Sequence, residues 1–197
     1  MPNRLSSRDL ALVATFAAFI AVLGLPGQLT PFGQAVPITA QTLGVMLAGS
    51  LLGSRRGGLA ALVFLVLVAA GLPLLAGGRG GLGVFTGPSA GFALGFAPGA
   101  WVVGRLVEQW PGRFAFAWVL LAHVVGGVLV VYALGIPVQA RVTGLPLDVV
   151  LTKSWVFVPG DLVKAVLATL VARAVARGYP LPSLRRDSRD DLGERTR

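Results

Sequence analysis

The sequence predicts an all-α integral membrane protein, a six-transmembrane-helix bundle with a ligand site near the extracellular side. Of its 197 residues, 55% are hydrophobic and 13% are charged, and the mean hydropathy is +0.79. Soluble domains carry about 25% charged residues. The apolar residues are gathered in long runs, and a bilayer core about 30 Å thick is crossed by roughly 20 helical residues. These runs are therefore interpreted as membrane spans.

Six spans are predicted along the chain, and together they make residues 1–177 a single transmembrane domain. Their approximate bounds are 9–25, 37–53, 57–71, 87–107, 114–135 and 159–177. The first run is interpreted as a retained span, because a small-residue cleavage site is weak and further apolar runs follow. A patch between the fifth and sixth spans, DVVLTKSWVFV, indicates a short interfacial or re-entrant helix. Residues 178–197 carry prolines and mixed charges and are expected to form a disordered cytoplasmic tail.

Basic residues orient these spans, because cytoplasmic loops are enriched in Lys and Arg. The N-terminus, the second and fourth connections and the tail hold thirteen of the seventeen basic residues. We therefore expect a multi-pass protein of the plasma membrane with both termini cytoplasmic. The three long Gly- and Pro-rich connections then face outward.

Small residues recur every four positions on two of the predicted helices. Gly87, Gly91, Gly95 and Gly99 lie on one face of the fourth span, and such faces let helices approach closely in lipid. We expect this glycine ladder to pack inside the bundle, with Pro98 kinking the helix. The alanines of the first span have the same spacing, and they fit either internal packing or an external docking face; these are Ala14, Ala17, Ala18 and Ala21.

Composition excludes several classes of site. The chain has no Cys and one His, which leaves no thiolate chemistry and no His-based metal cluster, so no metal site is expected. Nucleic-acid binding is not expected, because no basic stripe is interleaved with stacking aromatics. The G-x-G-x-x-G match in GGRGGLG follows no β-strand, and no P-loop motif is present. Too few reactive groups remain for an intramembrane enzyme.

The strongest functional signal is an acid and a base in VPGDLVKAVLATL, residues 158–170. Asp161 and Lys164 are three residues apart, which puts both on one helix face. Charges within a span cost about 2.5–3.5 kcal/mol each and are functional candidates by default. The helix dipole and mutual neutralisation account for Asp161 but not for Lys164, which lies one turn deeper. The pair is therefore expected to face a ligand that offers both a donor and an acceptor.

Four stretches together resemble the BioY family, the biotin-specific membrane subunits of energy-coupling-factor (ECF) vitamin transporters. They are VPITAQTLGVMLAG (36–49), GLPLLAGGRGGLGVFTGPSAGF (71–92), VVYALG (130–135) and VPGDLVKA (158–165). The resemblance implies a six-helix bundle that encloses biotin and needs no cofactor. It also implies docking to a transmembrane coupling protein (T component) that carries two ATPase subunits, which alone use ATP.

Carried onto this chain, the resemblance makes Asp161 and Lys164 ligand contacts, adds Thr39 and Gln41, and makes the Gly-rich loop around Gly80 a lid. Where the family often has GPTGGY, this chain has Phe92 in place of the tyrosine, so a phenolic hydroxyl is lost. Biotin presents ureido N–H donors, a carbonyl, an apolar thioether ring and a carboxylate. A mostly apolar pocket with a few placed polar groups suits such a ligand. The remaining expected roles are Arg79 for the carboxylate, and Phe85, Phe92 and Trp155 as apolar walls.

Two alternatives stay open on the sequence alone. One is a vitamin-binding subunit for a different vitamin or small carboxylate, and the other is a purely structural membrane subunit. The alanine strip of the first helix, at Ala14, Ala18 and Ala21, is the expected docking face for the coupling protein.

Overall fold

The computed structural model describes residues 6–25, 36, 38–109 and 115–178, and these residues form helices and connecting turns without a β-strand. Residues Leu82–Thr86 and Trp155–Phe157 form two 3₁₀ turns, and Val125–Val130 form a π-helical segment. The helices are α1 Ser7–Val22, α2 Gln41–Leu52, α3 Ser54–Ala69, α4 Ala90–Leu94, α5 Phe96–Gln109, α6 Phe116–Val124, α7 Val131–Thr143, α8 Leu147–Ser154 and α9 Val158–Gly178.

Three helical segments in the described part of the chain are long and apolar enough to cross a membrane, and each joins two of these helices. They run over Ala90–Gln109, Phe116–Thr143 and Leu147–Gly178, and Gln41–Leu52 is a shorter apolar helix. Together with α1 and α3 they make six helical segments in the described part of the chain. The predicted all-α integral membrane fold is confirmed.

The fifth and sixth segments are longer than the predicted spans. The fifth continues beyond residue 135 to Thr143, with Pro137 inside the helix, and the DVVLTKSWVFV patch forms α8 and the turn that leads into α9. A Cβ on Gly135 would lie 2.3 Å from the Phe92 ring, so this glycine lets α7 pack directly on Phe92. Tertiary packing therefore extends a helix that a Gly-Ile-Pro sequence was expected to end. The predicted tail lies outside the described residues from residue 179 onward.

The glycine ladder packs inside the bundle, as the sequence predicts. Added Cβ atoms on Gly91, Gly95 and Gly99 would lie 2.4–2.9 Å from backbone atoms of α7 and the π-helical segment. Gly87 precedes α4 and meets only one atom, 3.7 Å away. The helix is interrupted at Gly95, three residues before Pro98, which cannot donate a hydrogen bond to the preceding turn.

Polar contacts hold the helices together at one end of the bundle. At the start of α1, Ser6 and Asp9 form a capping box, and Asp9 also pairs with Arg56 of α3 at 2.7 Å. Helices α2 and α3 are joined through Gly53 alone, whose φ of 84° suits glycine. The Glu108 carboxylate of α5 accepts hydrogen bonds from the Ser54 N–H at 2.8 Å and the Ser54 hydroxyl at 2.7 Å. These contacts fix α1, α3 and α5 at one end of the bundle.

Candidate functional site

An ion pair near the start of α9 forms the centre of the site. The Lys164 Nζ donates to the Asp161 Oδ1 at 2.8 Å, and the side chains are 15% and 8% exposed. The i,i+3 spacing on one helix face brings them together, as the sequence predicts. Buried charges of this kind are tolerated when they are paired and hydrogen-bonded.

Two further helices complete the hydrogen bonds of this pair. From α7, the Tyr132 hydroxyl donates to the Asp161 Oδ2 at 2.5 Å. From α2, the Thr42 hydroxyl accepts from the Lys164 Nζ at 3.2 Å and lies 3.5 Å from the Asp161 Oδ1. The acid and the base are therefore fixed by contacts with residues 29 and 119 positions away from Asp161.

The polar group faces a cavity whose walls are mainly apolar. Phe92 makes edge contacts with Tyr132 and Phe157, with ring centroids 5.9 Å and 6.4 Å apart. The cavity is thus an aromatic and aliphatic box with a charged, hydrogen-bonding wall. Its lining residues are Val36, Ile38, Thr39, Gln41, Thr42, Leu75, Arg79, Ser89, Phe92, Ala93, Phe96, Val131, Tyr132, Phe157, Asp161 and Lys164.

The Gly-rich loop, residues 71–87, supplies a second basic group to the cavity. Leu75 and Arg79 exchange backbone hydrogen bonds at 3.0 Å and 3.2 Å, which closes a small hairpin over residues 75–79. Gly77 and Gly78 turn this hairpin with φ values of 80° and 69°. The Arg79 guanidinium donates to the Ala76 carbonyl and the Ser89 hydroxyl, each at 3.2 Å. The hairpin therefore holds Arg79 beside the cavity.

The Gln41 side chain is only 2% exposed, and its amide contacts backbone rather than charged groups. Its Nε2 donates to the Leu74 carbonyl at 3.0 Å and to the Ile20 carbonyl at 3.4 Å, and its Oε1 accepts from the Ala76 N–H at 3.3 Å. Gln41 lies in the cavity wall with its amide occupied by the Gly-rich loop and by α1.

The BioY family model matches residues 1–181. The chain belongs to the BioY family.

Proteins named as biotin transporters BioY match this chain over most of their length. The biotin transporter BioY of Rhizobium etli is 49% identical over 182 residues, which cover 90% of this chain and 97% of the relative. The probable biotin transporter BioY of Bacillus subtilis is 43% identical over 173 residues, which cover 88% of this chain and 92% of the relative. These relatives are transport proteins, and the expectation that this chain is not an enzyme is confirmed.

A crystal structure of the S-component for biotin from an ECF-type ABC transporter has the same fold. It matches with a TM-score of 0.83 at 32% identity, covering 92% of this chain and 96% of that one. The predicted resemblance to the BioY family is confirmed by both the sequence and the structural matches.

Most of the predicted site residues of this BioY chain lie around one cavity. The structure brings together the pair Asp161 and Lys164, along with the residues predicted beside them: Thr39, Gln41, Arg79 and Phe92. Their contact with a ligand stays a prediction.

Three other predicted residues do not line the cavity. Trp155 lies in the turn before α9 and is 67% exposed, so Phe157 of the same turn provides the aromatic wall instead. Phe85 packs beside the hydrophobic core. Gly80 lies where an added Cβ would be 2.2 Å from the Leu72 carbonyl oxygen, so this glycine allows close packing within the loop.

Sequence reasoning missed Tyr132, Thr42, Ser89 and Phe157. Three of them lie within the family stretches already quoted: Tyr132 in VVYALG, Thr42 in VPITAQTLGVMLAG and Ser89 in GLPLLAGGRGGLGVFTGPSAGF. The Tyr132 ring also lies against Phe92, so a phenolic hydroxyl reaches this region from α7 although position 92 has none. The signal was a lone polar residue in an apolar span, which merits the same attention as a lone charge.

The four alanines of the α1 strip differ in their exposure. Ala14 and Ala18 are exposed, Ala21 is half-buried, and Ala17 is buried in the core. Ala14 and Ala18 therefore offer a shallow outer surface, and its use as a docking face stays a prediction.

Proposed function

We propose that this chain is the biotin-binding, substrate-specific component of an ECF-type vitamin transporter, which captures biotin for uptake across the cell membrane. The observation that carries the proposal is the buried Asp161–Lys164 pair, held by Tyr132 and Thr42 at the wall of an apolar cavity. Family membership and the named relatives support biotin as the ligand.

Hydrogen-bonding capacity supports a specific arrangement for the ureido ring. An ammonium has three donors, and Lys164 uses two of them on Asp161 and Thr42, so one remains for a carbonyl oxygen. A carboxylate accepts at about four positions. Asp161 receives Lys164, Tyr132 and a long contact from Thr42, which leaves room for an N–H donor. Lys164 then binds the ureido carbonyl and Asp161 binds a ureido N–H.

The remaining parts of biotin have matching surfaces. Phe92, Phe96 and Phe157 offer an apolar box for the thioether ring, and Thr39 adds a hydroxyl to the wall. Arg79 uses two of its five N–H donors on Ala76 and Ser89, so its guanidinium retains donors for the valerate carboxylate. The Gly-rich loop acts as the lid over the bound ligand.

The distribution of basic residues supports the orientation, with both termini cytoplasmic and the Gly-rich loop outside. Binding alone does not concentrate a solute, and the sequence contains no P-loop. Membership of the BioY family implies that a coupling T component with two ATPase subunits supplies the energy. Ala14 and Ala18 provide the docking surface, since small residues allow helices to approach closely in lipid.

Isothermal titration of the detergent-purified chain with biotin tests the ligand. Biotin should bind, and biotinamide, which lacks the carboxylate charge, should bind more weakly in the wild type. Arg79→Gln should weaken biotin binding and leave biotinamide binding nearly unchanged. Absence of heat with biotin, and a saturable response to another vitamin or small carboxylate, would contradict the proposal and favour the other ligand class.

A further inference from the structure

Gln41 connects two parts of the molecule that the proposed function assigns to different tasks. Its Nε2 contacts the Ile20 carbonyl near the end of α1, the proposed docking helix. The same amide contacts Leu74 and Ala76 in the Gly-rich loop, the proposed lid. The sequence motif predicts a ligand contact for Gln41, and in the structure its amide makes three backbone hydrogen bonds.

The chemistry of a primary amide suits this position. A glutamine amide has two N–H donors and a carbonyl acceptor, so it offers the same pair of groups as a peptide bond, plus one more donor. The Leu74 carbonyl and the Ala76 N–H flank Leu75, and Gln41 contacts both, as the peptide group of a neighbouring strand would. Its remaining contact goes to one of the last four carbonyls of α1, which lack partners within their own helix.

The atoms around the Gln41 amide are closely packed. A Cβ on Gly24 would lie 2.9 Å from the Gln41 Nε2 and 3.0 Å from the Leu74 carbonyl oxygen. The turn after α1 therefore closes directly over the amide. On the other side, Leu75 is 7% exposed and lines the cavity, and the hairpin that follows carries Arg79. The Gln41 side chain thus links the end of α1 to the loop that forms part of the cavity wall.

We propose that Gln41 is a positioning residue that ties the Gly-rich loop to the end of α1, so that the lid and the docking helix move together. The inference rests on the proposed function for its meaning in transport. Without the tie, the lid opens independently of α1, and bound biotin is lost faster.

The test uses Gln41→Met, which keeps the length of the side chain and removes all three hydrogen bonds. We expect the biotin dissociation rate to rise about tenfold or more, because the three hydrogen bonds that hold the loop to α1 are lost. The association rate should stay within about twofold, since affinity changes in related complexes appear mainly in dissociation. Ser50→Ala is the matched control, because Ser50 is buried on the same helix and its hydroxyl bonds only within α2.

A second measurement tests the link between α1 and the Gly-rich loop in the absence of ligand. The chain has no Cys, so spin labels at Val22→Cys and Leu82→Cys, which are 55% and 73% exposed, report the distance between α1 and the loop. The distance distribution should widen in the Gln41→Met background and stay narrow with Ser50→Ala. If Gln41→Met does not fold, Gly24→Ala places a methyl group about 3 Å from both the Gln41 Nε2 and the Leu74 carbonyl oxygen, too close for both to stay in place, and should widen the distribution in the same way.

An unchanged distance distribution in a folded Gln41→Met protein would overturn the inference, as would an unchanged dissociation rate. A wild-type chain that fails to bind biotin would instead contradict the proposed function. The distances between the spin labels would still test whether Gln41 holds the loop to α1.

Discussion

Removing Lys164 tests the central pair most directly. Lys164→Met keeps the length of the side chain and leaves the Asp161 carboxylate, with 8% of its side chain exposed, without its counter-charge. Breaking a buried ion pair from one side costs about 3–5 kcal/mol. Asp161 keeps its hydrogen bond from Tyr132 and faces a cavity, so we expect a loss near the lower end, about 3 kcal/mol.

The reverse change, Asp161→Asn, leaves an ammonium without a counter-charge and should cost a similar amount. The double variant removes both charges and should cost about 3 kcal/mol rather than the sum, because neither partner is then left unpaired. Denaturant unfolding in detergent measures these losses, and biotin titration should show each single variant bound about tenfold to a hundredfold more weakly.

Val163→Met is the matched control for introducing methionine on α9, because Val163 is 59% exposed and faces away from the site. It should change stability and biotin affinity little. Additive losses in the double variant would refute the reasoning, since they would show that Asp161 and Lys164 act independently. Wild-type affinity in both folded single variants would give the pair a structural role only.

Three further predictions use other parts of the chain. Tyr132→Phe removes one hydrogen bond to a carboxylate and should weaken biotin binding by about 1.5–3 kcal/mol in titration; an unchanged affinity would show that the phenol is dispensable. A cysteine at Leu82 should react with an impermeant maleimide in intact cells and one at Gln109 should not, and reversed labelling would contradict the orientation. Ala18→Trp should abolish co-purification with the coupling protein while biotin binding persists, whereas Leu121→Trp on another exposed face should keep the complex; equal behaviour of the two variants would place docking elsewhere.

The sequence by itself determined the features that depend on near neighbours in the chain. Composition and run length predicted the membrane fold, because an apolar helix satisfies its own backbone within one segment. The spacing of Asp161 and Lys164 predicted their ion pair for the same reason, since residues three apart meet on any helix. The glycine ladder predicted a close helix crossing, although not which helix would fill it.

Only the tertiary structure decided which distant groups meet the pair and which groups bond to the Gln41 amide. Tyr132 and Thr42 reach Asp161 from two other helices, and their placement depends on crossing angles and helix register that no local pattern encodes. The ends of the fifth segment depended on packing as well, because Gly135 stays helical against the Phe92 ring. Gln41 is predicted to contact the ligand, and the structure adds that a loop more than 30 residues away bonds to its amide. A buried polar group satisfies its hydrogen bonds with whatever the fold brings near, and that is a property of the assembled bundle.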